Sequence, residues 1–131
     1  MAKWSPGSHG GTYGGNPVCC AGAIATVEVI KKERLIQNAK HLGKYLQAQL
    51  SKLQKKYPVI KDVRGLGLMI GVDFQDSSIV RKIIDHCLKN YLVIIPTGAD
   101  GTVIRLIPPL IVKKKEIDQA LKVFESALKN V

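Results

Sequence analysis

Val63-Arg64-Gly65-Leu66-Gly67-Leu68-Met69-Ile70-Gly71-Val72-Asp73-Phe74 is the stretch that decides how this chain folds. Leu66, Leu68, Ile70, Val72 and Phe74 alternate with other residues. Successive side chains of a strand point to opposite faces, so this spacing places the five on one apolar face. The opposite face carries Gly65, Gly67 and Gly71. A strand bare on one side admits a second backbone or a ligand at close range, or it bends or bulges there. The residues alone leave both readings open.

Upstream of this stretch the pattern is helical. Asn16-Pro17 is a helix start, because Asn is a favoured N-cap and Pro at the first helical position has its φ preset. Small and branched apolar residues then run to about Lys32, with Ala21, Ala23 and Ala25 permitting close packing on a neighbour. A second helix is predicted over about Glu33 to Lys56. There Leu35, Ala39, Leu42, Leu46, Leu50 and Leu53 step by three or four and form one apolar stripe. Pro58 stops it.

Downstream, Asp76 or Ser77 caps a third helix through about Asn90, with Val80, Ile83, Ile84, Cys87 and Leu88 on its inner side. Leu92–Ile95 reads as a short strand, Gly98-Ala99-Asp100-Gly101 as a turn and Thr102–Ile107 as another strand, stopped by Pro108-Pro109. The last helix covers about Lys114 to Asn130, with Ile117, Leu121, Phe124 and Leu128 inward. Helices and strand pairs in this order predict a two-layer α+β domain, a mostly antiparallel sheet covered by helices. A glycine-rich arm over residues 1–15 precedes it.

Composition narrows the function classes. A chain of 131 residues, 46% hydrophobic and 23% charged, has room for one modest core and is not disordered. No apolar run approaches the ~18 residues of a membrane span, and the N-terminus lacks a signal-peptide core, so a cytoplasmic location is expected. Cys19, Cys20 and Cys87 lack metal-ligand spacing and fall in apolar helical patterns. They read as small, reduced core residues. The net charge of +10 raises the possibility of nucleic acid. Its excess, however, is lysine spread over helix faces (Lys31 and Lys32, Lys52, Lys55 and Lys56, Lys113 to Lys115). A small basic RNA-binding domain would also need aromatic residues on an open sheet face, and the strand with Gly65, Gly67 and Gly71 offers none.

Two places invite chemistry. The first is the arm Ser8-His9-Gly10-Gly11-Thr12-Tyr13-Gly14-Gly15, whose backbone amides lie ahead of a helix N-terminus. Such amides and the helix dipole favour an anion, and the Thr12 hydroxyl supplies one more donor. It is not a Walker loop, since no Lys-Ser or Lys-Thr follows the last glycine. The second is Arg105, the only charge in an otherwise apolar strand. Its planar fork matches a carboxylate. The alternatives are a salt bridge to Asp62, Asp73 or Asp85, or an edge position open to water. His9, His41 and His86 are dispersed. No Ser/His/Asp set, carboxylate pair or metal cluster is present in the sequence, so no catalytic residue and no metal ligand is assigned.

Three ordered segments carry a resemblance: Gly7-Ser8-His9-Gly10-Gly11-Thr12-Tyr13-Gly14-Gly15-Asn16-Pro17, Val63-Arg64-Gly65-Leu66-Gly67-Leu68-Met69-Ile70-Gly71, and Ile104-Arg105-Leu106-Ile107-Pro108-Pro109-Leu110. Together they resemble the C-terminal part of the class III pyridoxal-phosphate-dependent aminotransferases, a family that includes the 4-aminobutyrate, ornithine and acetylornithine enzymes. The resemblance spans essentially the whole chain, and within the family it looks most like the 4-aminobutyrate branch.

The resemblance implies a fold type I enzyme with a large cofactor domain and a small C-terminal domain, active as a dimer. It implies that residues 1–15 are an interface arm, that 16–32 form a helix packed on the large domain, and that 33–131 are the small domain. Thr12 would bind the phosphate of pyridoxal phosphate held by a neighbouring subunit, with Gly11 in a position where the family often has a serine. Arg105 would hold a substrate carboxylate. The family's Schiff-base lysine lies further upstream than this chain reaches, and Lys3 is too close to stand in. The expectation is therefore a C-terminal fragment, inactive alone, of an enzyme moving an amino group from an ω-amino acid to a 2-oxo acid. The alternative is a split-gene or assembly subunit that completes an enzyme with a partner chain bearing the lysine.

Overall fold

In the computed structural model Ile60–Leu66 (β1) and Met69–Phe74 (β2) form an antiparallel hairpin, joined by Gly67 and Leu68. The structure describes Ser5, Gly7, Ser8 and residues 10–131. The alternation that spans Leu66 to Phe74 in sequence is therefore interrupted by a turn. Gly67 adopts φ 56, the positive value that the first central residue of a two-residue hairpin turn requires. Leu68, Ile70, Val72 and Phe74 are buried as expected, but Leu66 is 89% exposed and does not share their face. The turn reverses the chain between Leu66 and Leu68, which moves Leu66 to the other side of the sheet.

The sheet has four strands in the order β1-β2-β4-β3, where β3 is Ile95–Thr97 and β4 is Val103–Leu106. All pairings are antiparallel. Pro96 lies on β3 at the sheet edge, where its missing N–H costs no interior ladder bond. The turn between β3 and β4 is the expected one, with Gly98 and Gly101 at φ 85 and 65.

Leu92–Ile94, expected to be strand, is irregular. The third helix, Ser77–Lys89 (α3), ends in a Schellman motif that determines this path. Tyr91 takes φ 61, its N–H donates to the Leu88 carbonyl, and the Leu92 N–H donates to Cys87 at 2.9 Å. The chain leaves α3 through Leu92–Ile94 before it can join the ladder. At the other end of α3, the Asp76 carboxylate accepts from the Ser78 N–H; the Ser78 hydroxyl first, and this N–H second, hold Asp76 below its usual range.

The chain divides into two compact units, Met1–Leu35 and Ile36–Val131. The second contains one core. Leu42, Leu46, Leu50 and Leu53 of Leu35–Lys56 (α2), Val80, Ile83 and Cys87 of α3, and Ile117, Phe124 and Leu128 of Lys114–Leu128 (α4) join Ile70, Val72, Phe74 and Ile104 of the sheet. Phe74 meets Phe124 edge-on, their centroids 6.5 Å apart. Leu88, expected on the inner side of α3, is exposed, one position beyond the apolar arc. The Asn38 amide donates to the carbonyls of Leu110 and Val112 and fixes α2 to the loop before α4. This is the predicted two-layer α+β architecture with an antiparallel sheet.

Gly43 has the closest approach. A Cβ there would lie 2.1 Å from the Gly67 carbonyl oxygen. The α2 backbone thus rests on the hairpin turn; the bare face expected from Gly65, Gly67 and Gly71 is not formed, because the turn at Gly67 leaves Gly65 opposite Ile70 on the core side and Gly71 opposite Arg64 on the other.

Within the first unit, Pro17–Lys32 (α1) starts as expected. The Asn16 side chain accepts from the N–H groups of Val18 at 3.0 Å and Cys19 at 3.4 Å. Arg34, at φ 52, separates α1 from α2, so the second helix begins at Leu35 and not Glu33. No residue of α1 is buried. Cys19 and Cys20, expected to be core residues, are consequently exposed, because α1 is apolar nearly all round and offers no single stripe. Cys87 is buried, and burial pushes its thiol up to about 11. Among the described residues no helix is long and apolar enough to cross a membrane.

Candidate functional site

Within the second unit α2, α3 and α4 cover one face of the sheet, and Arg64, Leu66 and Met69 on the other face are exposed. On that other face the strand registers align two rows of side chains. Arg64, Gly71, Arg105 and Ile95 are cross-strand partners in the first. Asp62, Asp73, Val103 and Thr97 are partners in the second. The exposed Leu66 and Met69 pair beside the first row. No aromatic residue stands in either row, which removes the stacking platform an RNA-binding sheet would use.

The two arginines of the first row differ. Arg64 Nη1 donates to Asp62 at 2.8 Å and to Asp73 at 3.5 Å. The hydrogen bond with Asp62, foremost, keeps its guanidinium more firmly protonated than usual. Arg105 forms no ion pair among the described residues. Its Nε is buried with no hydrogen-bond partner. The internal salt bridges open to it in sequence, with Asp62, Asp73 or Asp85, are not formed. A buried donor left unpaired costs about 1–3 kcal/mol. Between the two arginines Gly71 has no side chain, and a Cβ there would already press on Val103 at 3.3 Å.

Near the start of α4 a cavity of about 320 Å³ is lined by Leu46, Leu92, Ile94, Val112, Leu121 and Phe124, among others, including Arg105 and Glu116. The Glu116 carboxylate is engaged in capping α4, accepting from the Lys113 N–H at 2.7 Å. It is therefore no free base.

Gly11 and Thr12 lie in the first unit and Arg105 in the second, and each is described within its own unit. Both arm residues are exposed, and no atom approaches within 4 Å of the place a Gly11 Cβ would take. Around Thr12 the chain makes tight turns, with Gly10 N–H bonded to Gly7 and Asn16 N–H to Tyr13, and Gly15 at φ 81. Asn16 already occupies the amides of Val18 and Cys19. An anion here would therefore be held by loop amides and the Thr12 hydroxyl, with the helix contributing its dipole and not those two donors. An exposed hydroxyl beside side-chain-free backbone fits a phosphate group. Residues 1–4, Pro6 and His9, the beginning of the arm, lie outside the described residues. Of the remaining histidines, His86 contacts the Ser126 hydroxyl at 3.2 Å, a surface pairing. Among the described residues no cluster could hold a metal ion.

Among the described residues the second unit thus carries an arginine, Arg105, whose Nε is buried and unpartnered, and the first unit carries a glycine-rich arm. The family model "Aminotransferase class-III" matches residues 1–128, and the chain belongs to that family. It is 45% identical to the acetylornithine aminotransferase of Clostridium acetobutylicum, over 98% of this chain and 32% of the relative. It is 35% identical to the 5-aminovalerate aminotransferase of Pseudomonas putida, over 100% of this chain and 32% of the relative. Among solved structures it superposes with a TM-score of 0.83 and 35% identity on the ornithine aminotransferase of Toxoplasma gondii, a structure with partial occupancy of PLP at its active site. That match covers 97% of this chain and 30% of the neighbour. The chain thus spans about a third of the length of these curated relatives.

The sequence pattern singles out Arg105 but not the ion pairs beside it. The pairing of Arg64 with Asp62 and Asp73 depends on the hairpin register, and the closeness of Gly43 to Gly67 joins residues far apart in sequence. The glycine in the middle of α2 was the available signal for the second.

Proposed function

We propose that this chain is the C-terminal, substrate-carboxylate-binding part of a pyridoxal-phosphate-dependent transaminase, which moves an amino group from an ω-amino acid to a 2-oxo acid. Arg105 carries the reading: its buried, unpartnered Nε and its planar fork suit a carboxylate. The substrate class is supported by relatives named for acetylornithine and 5-aminovalerate, each a carboxylate with a primary amine at the far end of its carbon chain. 4-Aminobutyrate is a shorter member of that class.

In this proposal Thr12, with the amides around Gly11, holds the cofactor phosphate of a neighbouring subunit, and residues 16–32 pack on a large domain. Pyridoxal phosphate, when bound, supplies the electron sink for amino transfer. This chain's residues orient: Thr12 donates a hydrogen bond to phosphate, and Arg105 fixes the carboxylate so that the substrate amine is directed away from the sheet. The lysine on which the chemistry depends belongs to the upstream part of the family, so the 131-residue polypeptide alone is inactive. Completion by a lysine-bearing partner, in cis or in trans, is the form in which it works, and the working assembly is a cytoplasmic homo-oligomer.

The test joins the chain to the N-terminal two-thirds of a class III relative, either fused or mixed. Turnover of acetylornithine, 5-aminovalerate or 4-aminobutyrate is expected only in the joined sample. Arg105→Ala should raise KM for the amino donor by ~10- to 100-fold, the worth of a charge-assisted bond. Thr12→Ala should weaken pyridoxal phosphate binding about tenfold, read by equilibrium dialysis. Turnover by the 131-residue chain alone, or an Arg105→Ala hybrid with unchanged KM, would overturn the reading.

A further inference from the structure

We infer that Arg64 is a positioning residue: together with Asp62 it holds the Asp73 carboxylate away from Arg105 and so leaves the Arg105 guanidinium free. The inference rests on the reading of Arg105 as the carboxylate-binding residue, and it concerns how that residue is kept available.

The geometry is set by the registers. Gly71 is the cross-strand partner of both Arg64 on β1 and Arg105 on β4. Asp73 is two residues along β2 on the same face, so it is the diagonal neighbour of each arginine. Diagonal neighbours lie about 7–8 Å apart, within reach of a long side chain. The Phe74 N–H points toward β4, so by alternation Gly71 and Asp73 turn their backbone groups to β1 and form non-hydrogen-bonded pairs with β4, where side chains stand closer. Asp73 could therefore pair with either arginine. It pairs with Arg64, at 3.5 Å, and Arg105 is left without an ion pair among the described residues.

Asp62 accounts for the choice. It is the direct cross-strand partner of Asp73, and two carboxylates side by side repel each other. A guanidinium between them relieves that repulsion. Arg64 bonds Asp62 at 2.8 Å and Asp73 with the same Nη1. On the β4 side Asp73 faces Val103, which offers no second carboxylate. One arginine thus neutralises the acidic pair, and the other stays open. Without Arg64, Asp73 would turn to Arg105 and compete with any external carboxylate from a fixed, high effective concentration.

The test uses the 131-residue chain labelled with 15N and follows the Arg105 Nε–Hε signal by NMR. The Arg64→Met variant is expected to shift that signal and slow its exchange with water. Arg64→Met combined with Asp73→Asn should return it to the wild-type position, and Asp73→Asn alone should leave it unmoved. A purely structural role for Arg64 would not be rescued by removing Asp73. Arg64→Gln replaces the Met variant if the backbone amide spectrum shows that the latter has lost its fold. An Arg105 signal unmoved by loss of Arg64, a shift that persists in the double variant, or a shift with Asp73→Asn alone would overturn the inference. A second arm titrates acetate: Arg64→Met should weaken its effect on Arg105 about fivefold, the scale of an exposed ion pair. If acetate never perturbs Arg105 in any variant, the carboxylate-binding reading fails, while the ligand-free signals still decide the role of Arg64.

Discussion

α1 and α2 follow one another in the chain, with 16 and 22 residues, yet they meet opposite fates. α2 has a polar average composition and one stripe of leucines, and Leu50 on that stripe is fully buried. α1 is the more apolar of the two, and none of its residues is buried. Hydrophobicity alone therefore does not bury a helix. A stripe gives a helix one inward face and lets the remainder meet water, whereas a helix apolar nearly all round needs covering on several sides. α2 finds its partners within its own unit. α1 leaves Val18 and Ile24 exposed, without cover in its own unit.

The sharpest way to break this contrast is thiol labelling. Cys19 and Cys20 on α1 should react with iodoacetamide in the native chain. Cys87 should be protected roughly a thousandfold or more, since reaction there requires opening the core and its thiol is pushed up to about 11. Mass spectrometry should show two rapid additions and a third only in denaturant. Three rapid additions would mean that the second unit lacks the packed core described.

Next in size are truncations. Leu50→Ala should cost about 2–5 kcal/mol in a urea titration, as for other fully buried leucines. Ile24→Ala on α1 should stay within about 0.5 kcal/mol, as surface changes do. Equal costs would show that α1 is buried in solution. Gly43→Ala, a change that ordinarily favours a helix by about 1 kcal/mol, should instead destabilise by about 1–3 kcal/mol, because its Cβ would overlap the Gly67 carbonyl. A stabilised Gly43→Ala variant would show that α2 does not rest on the hairpin.

The smallest effect is expected at two ion pairs, Lys56–Glu125 between α2 and α4 and Lys114–Asp118 within α4. The hydrogen bond from Lys114, followed by that from Tyr45, lowers Asp118, and the bond from Lys56 lowers Glu125. Their folded values lie below the unfolded ones. Their stabilisation is therefore present above the ordinary carboxylate range and is lost as pH falls through the lowered values. All four side chains are well exposed or at the surface, so the contribution is slight. Tm should fall more below about pH 4 in wild type than in the Lys56→Met, Lys114→Met double variant. Parallel acid limbs would show that these pairs add nothing.

Much of this was legible in the sequence because it depends on local rules. Asn16-Pro17, Asp76, the leucine ladder of α2 and Gly98 to Gly101 each state their structure within a few residues, and all four appear as read. The errors lie where two signals overlapped. Leu66 belongs to a perfect alternation, and only the positive φ of Gly67 reveals that the alternation runs through a turn. Leu92–Ile94 is apolar and β-branched, but the Schellman exit of α3 takes it out of the ladder. Cys19 and Cys20 sit among apolar residues, and the sequence could not say that these would find no cover.

Capping, periodicity and turn chemistry act over short distances, so the four helices, most of the strands and their order can be read along the chain, and Thr12 and Arg105 stand out in it. The surroundings of Arg105 arise instead from the folded sheet. Its neighbours across the sheet come from residues 64, 71 and 73, and strand register, which no local pattern encodes, determines which arginine the aspartates take and which one remains free.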